Sequence, residues 1–166
     1  MTSATPVADW SEILQTASDR AVSPEAQRSR LVRKFVGHET PSVSVDQAYA
    51  ECLRALREAF EEASRPNWDA YGAPAVSDAT LAQALAFLDV LPSMLLGPEI
   101  SPHPDGELAF EWSFGPGRLL TVSVNESGRL SYAALFGRAR LYGTEFCLDT
   151  LPEPIALALR RLYSPR

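Results

Sequence analysis

Between residues 104 and 142, apolar and polar positions alternate with a period of two, interrupted by short turn signals. Leu108, Phe110 and Trp112 alternate with Glu107, Ala109, Glu111 and Ser113. Leu120, Val122 and Val124 alternate with Leu119, Thr121 and Ser123, and Leu130, Tyr132, Ala134 and Phe136 follow. Successive side chains of a strand point to opposite faces, so the pattern predicts strands with one face on a core. Pro104-Asp105-Gly106, Gly115-Pro116-Gly117 and Asn125-Glu126-Ser127-Gly128 supply the turns. Gly137 sets off a weaker fourth strand over 138–142, after which residues 143–146 are expected to turn the chain. No connection is long enough for a parallel crossover, which predicts an antiparallel four-stranded meander. The proline-rich stretch 93–103 reads as extended, with residues 98–100 able to add a short edge strand.

Outside this region the period lengthens to that of a helix. Val45, Ala48, Tyr49, Cys52, Leu56, Ala59, Phe60 and Ala63 form one stripe, introduced by Ser44 and Gln47 at capping-box spacing. Ser77 or Asp78 caps a second helix that turns Leu81, Ala84, Leu85, Leu88 and Leu91 inward until Pro92 stops it. Thr150 and Glu153 repeat the capping-box spacing ahead of a terminal helix, with Leu151, Ile155, Ala158, Leu159 and Leu162 facing the core. Arg160 and Arg161 lie in its last turn, where the helix dipole favours cations. Upstream, Trp10, Ile13, Leu14 and Ala17 mark one short helical piece, and Ser23-Pro24 starts a second that ends near Phe35. The expected fold is α+β: a four-stranded antiparallel meander packed against helices, two before and one after, over residues 43–166. Residues 1–42 form a partly helical N-terminal arm.

Composition narrows what this fold does. Of 166 residues, 46% are hydrophobic and 22% charged, the balance of a globular chain able to bury one core. A net charge of −6 argues against a dedicated nucleic-acid coat, which depends on Lys and Arg. The one concentrated basic run, Arg28, Arg30, Arg33 and Lys34, is a candidate anion-binding element. It is also what an ordinary solvated helix face looks like. Neither a basic-then-apolar leader nor an apolar run of spanning length occurs, so a cytoplasmic location with no membrane contact is expected.

Candidate chemistry is sparse. Cys52 and Cys147 share no metal-ligand spacing, and Cys52 falls on the apolar stripe as a core thiol. His38 and His103 are the only histidines, and neither stands beside a motif Ser or Cys. No phosphate-binding loop, dinucleotide fingerprint or nucleophile elbow occurs. No catalytic residue, metal or cofactor is therefore assigned. Glu107 and Glu111, four apart on one strand face, are the residual carboxylate pair for a hydrolase, assisted by Tyr142 or Glu145.

The most distinctive non-periodic stretch is Asn67-Trp68-Asp69-Ala70-Tyr71-Gly72-Ala73-Pro74, an aromatic loop bounded by prolines. Asp69 can cap a turn, Gly72 can take a positive φ, and the two aromatics can staple the loop to the core or form a binding lip.

These residues, with Pro104 to Glu107, Glu111-Trp112, Leu130 to Ala133 and Gly143 to Glu145, resemble a family of small bacterial proteins. Its members carry Asn-Trp-Asp-Gly-Tyr-Gly-Ala, Pro-Asp-Gly-Glu, Glu-Trp, Leu-Ser-Tyr-Ala and Gly-Thr-Glu blocks in this order. This chain has Ala70 where such proteins commonly have Gly, and Tyr142 where many have His. The resemblance implies a domain boundary near Val43 and brings no established activity with it. The function expected is non-enzymatic binding of another protein, as an antitoxin, immunity or chaperone-like module whose partner is encoded nearby. Trp68, Asp69, Tyr71, Tyr142 and Glu145 are its candidate contact residues. A carboxylate hydrolase and a nucleic-acid-associated regulator acting through the basic arm are the alternatives.

Overall fold

The computed structural model describes residues 45–95, 97–147 and 149–164. Helices α1 (Val45–Glu62) and α2 (Asp78–Val90) precede a 3-10 turn at Ser93–Leu95. Five strands follow, β1 (Glu99–Pro102), β2 (Leu108–Ser113), β3 (Arg118–Val124), β4 (Arg129–Phe136) and β5 (Ala139–Phe146), and helix α3 (Glu153–Tyr163) ends the fold. The strands lie in chain order, and each neighbouring pair is antiparallel. The α+β meander is as expected, but it has five strands rather than four. Residues 99–102 pair fully with β2, and Pro102 is tolerated because an edge strand has a side that needs no ladder donor. The expected arm, with its basic run at Arg28, Arg30, Arg33 and Lys34, and the Ser44 cap lie outside the described residues.

The alternation read from the sequence sets which face is covered. Leu108, Phe110, Trp112, Leu120, Val122, Val124, Leu130, Tyr132 and Ala134 are all buried, and the register places them on one side. They join Cys52, Leu56, Ala59 and Ala63 of α1, Ala84, Phe87 and Leu88 of α2, and Ile155, Ala158, Leu159 and Leu162 of α3 in a single core. Burying side chains of this size contributes about 1.5–3 kcal/mol each, which makes this layer the main source of stability. Phe87 meets Phe110 edge-on, with centroids 5.0 Å apart, and Trp112 donates its indole N–H to the Leu95 carbonyl at 2.8 Å. That bond fixes the 3-10 turn at Ser93–Leu95 against the core, where extended chain was expected from residue 93.

Two helix details differ from expectation. In α2 it is Phe87 and Thr80 that are buried, while Leu85 is partly exposed. The stripe is rotated because the Thr80 hydroxyl is within hydrogen-bonding distance of Ser77 Oγ (3.1 Å) and of the Gly106 carbonyl (3.5 Å), so its burial leaves no orphan polar group. Ser77 itself caps α2 as read, accepting the Thr80 N–H at 3.1 Å. In α3 the expected Thr150–Glu153 capping box does not form. Pro152 occupies the cap, with no side-chain cap bond, and Pro154 falls in the first turn. Its other end is held by Arg118, whose guanidinium donates to the Leu162 and Ser164 carbonyls, groups a helix terminus leaves unpaired.

Candidate functional site

The loop at residues 67–74 is closed by its own polar groups. Asn67 N–H donates to the Ala73 carbonyl at 2.7 Å, and Asn67 Oδ1 accepts from Gly72 N–H at 2.8 Å. Asp69 Oδ1 accepts two backbone N–H groups, from Tyr71 at 2.8 Å and Ala73 at 3.0 Å. Those donors hold the Asp69 carboxyl below its ordinary value of 3.8. The Trp68 indole N–H reaches the Pro74 carbonyl at 3.2 Å, and its half-buried ring packs on the core. Outside these bonds, Val76 N–H binds the Ala63 carbonyl at the end of α1, and Pro74 lies against Gly106 in the β1–β2 turn.

This closure requires unusual backbone conformations. Asn67 has φ 63°, Ala70 φ 64° and Gly72 φ 95°. Asn and Gly visit this left-handed region readily, whereas alanine does so at a cost of about 1–2 kcal/mol. Position 70 is thus one where the backbone favours glycine. Tyr71, between two such residues, points away from the body and is 94% exposed. A large aromatic so displayed, on a loop ordered by Asn67, Asp69 and Trp68, is ready to bury area on a partner without first paying to order its backbone.

Trp68 and Asp69 share the loop with Tyr71, but Tyr142 and Glu145 are not brought to it. The loop is anchored at the β1–β2 turn, and Tyr142 lies on β5, the opposite edge of the sheet. Tyr142 pairs with Ala133 on the outer face and is 81% exposed, whereas Glu145 pairs with Leu130 on the inner face. The two therefore point to opposite sides of one strand.

β5 also runs past Tyr142 to Phe146, through the residues expected to turn. Gly143 belongs to the strand interior because a side chain does not fit there: a Cβ would lie 2.5 Å from the Tyr132 hydroxyl. Read as a turn signal, this glycine concealed the strand. The continuing alternation of Arg140, Tyr142, Thr144 and Phe146 was the signal that could have revealed it.

The outer sheet face carries exposed or half-buried Ser113, Thr121, Ser123, Ser131, Ala133 and Thr144 along its middle. Glu107 sits at one end, with its Oε1 3.4 Å from an Arg129 nitrogen, and Glu111 accepts from the Thr121 hydroxyl at 3.4 Å. Four residues of extended chain set their backbones about 13 Å apart, and each carboxylate is engaged by a different neighbour, Arg129 for Glu107 and Thr121 for Glu111. The inner-face Glu145 does not join them.

His103 is exposed, with Nδ1 2.9 Å from Asp105 Oδ1 in the β1–β2 turn. Cys52 is a core thiol, and burial raises its pKa and that of Cys147 above the ordinary 9.0. Both are consequently protonated near neutrality and poor nucleophiles. Burial, with a smaller contribution from Cys52, pushes the Tyr163 phenol up to about 12. Among the described residues no group of three or more His, Cys, Asp or Glu could hold a metal ion, and no helix is long and apolar enough to cross a membrane. No protein-family model matches this chain, and neither a curated protein nor a solved structure does, so the meaning of the site rests on its own residues.

Proposed function

We propose that this protein is a non-enzymatic binding module for another protein and that Tyr71 is the centre of its contact surface. The observation that carries the reading is the 94% exposure of Tyr71 on a loop whose polar groups are spent on its own closure. In this reading Asp69 acts as the internal clasp of the loop, and Trp68 is its anchor to the core. An antitoxin, immunity or chaperone-like role suits such a module, since each requires a preformed surface and none requires a reacting group.

The test compares the full chain with Tyr71→Ala as bait for proteins of its own cell. A partner held by the parent should be lost or weakened by about 1–3 kcal/mol in the variant, with folding unchanged. A partner retained equally by both would remove Tyr71 from the interface.

A further inference from the structure

We propose that β5 is a self-pairing edge, through which a second copy of this chain adds antiparallel to make one continuous ten-stranded sheet. The two edges of the sheet differ. β1 has four residues, one of them Pro102, and α1 packs against it, which are common ways of blunting an edge. β5 has eight residues and no proline, and it exposes Tyr142 and Phe146, at 81% and 58%. Among the described residues no strand pairs with its outer side.

The ladder determines which groups are on offer. Cys147 N–H donates to the Gly128 carbonyl in β4's direction, and bonding alternates along an antiparallel strand. Ala139, Leu141, Gly143 and Glu145 therefore bond β4, while Arg140, Tyr142, Thr144 and Phe146 direct their N–H and C=O groups to the free edge.

A two-fold axis through Gly143 pairs Arg140 with Phe146 and Tyr142 with Thr144, each twice, and so uses every outward backbone group of the strand. It is the register that does so without drawing on the β4–β5 turn. It also places the Arg140 guanidinium across the Phe146 ring, an attraction between cation and aromatic face. The strand is thus complementary to its own reverse, as an isologous dimer requires.

Sedimentation of the full chain from about 1 to about 100 µM, a range suited to a small interface, should show mass rising from 18.1 kDa toward twice that value. Thr144→Pro removes an outward N–H and no bond to β4, so it should remain monomeric over the same range while melting cooperatively. Arg140→Glu keeps the whole backbone and should weaken association about tenfold or more, which covers the case of a Thr144→Pro protein that fails to fold. A parent chain that stays monomeric throughout, or an Arg140→Glu protein that associates as the parent does, overturns the proposal. The proposal does not depend on Tyr71, and Tyr71→Ala should dimerise normally.

Discussion

Ala70 and Asp69 show how much of the loop is decided by single residues. Ala70 holds φ at 64° against its own Cβ, whereas glycine would be unstrained there but lose more chain entropy on folding. The balance favours glycine, and Ala70→Gly is expected to stabilise the fold by about 0.5 kcal/mol, read as a raised melting midpoint. A lowered midpoint would mean that the left-handed turn costs nothing here. Asp69 has a carboxyl depressed below 3.8 by the N–H groups of Ala73 and Tyr71. A depressed folded-state value contributes stability that is present above 3.8 and disappears as pH falls through the lower folded value. The gap in melting midpoint between the parent and Asp69→Ala should therefore be constant above about pH 5 and narrow below about pH 4. A gap that ignores acid would mean that the carboxylate charge does not hold the loop.

Among the elements, β5 and α3 carry the sharpest expectations. Gly143→Ala brings a methyl to 2.5 Å from the Tyr132 hydroxyl and 2.7 Å from its ring carbon, so the ring must shift within a packed layer. Overpacking of this kind costs about 1–3 kcal/mol, and the loss should shrink in a Tyr132→Leu background. Equal losses in both backgrounds would place the cost elsewhere.

In α3, the raised Tyr163 value means that the neutral phenol is favoured in the folded protein. Its contribution is present below 10 and lost as pH rises through about 12, so Tyr163→Phe should flatten the alkaline melting profile across that window. These elements also show what the sequence made legible. Period-two runs in β2, β3 and β4 showed strand and buried face, because one face of each strand must meet the core. In α2 the rule that apolar residues turn inward missed Thr80 and Phe87, since a threonine whose hydroxyl is bonded can be buried as readily as a leucine. In β5 a glycine required by an aromatic neighbour looked the same as a turn glycine. The loop's composition pointed to Tyr71, but its internal closure depends on three positive φ angles that composition does not encode.

At the scale of the whole molecule, all three helices and the inner sheet face share one core cluster among the described residues. Removing residues 1–41 is accordingly expected to leave a cooperative melt with a similar midpoint, and loss of the transition would place part of the arm in the core. The aromatic loop divides two tasks between its rings, Trp68 packing on the core and Tyr71 left to the solvent. Calorimetric melting of Trp68→Ala and Tyr71→Ala beside the parent tests that division most directly. Trp68 is only half-buried, so its truncation should cost about 1–3 kcal/mol, less than a full core cavity, and Tyr71→Ala should stay within about 0.5 kcal/mol of the parent. A Tyr71→Ala protein that melts as early as Trp68→Ala would make Tyr71 part of the fold and contradict the contact role proposed for it.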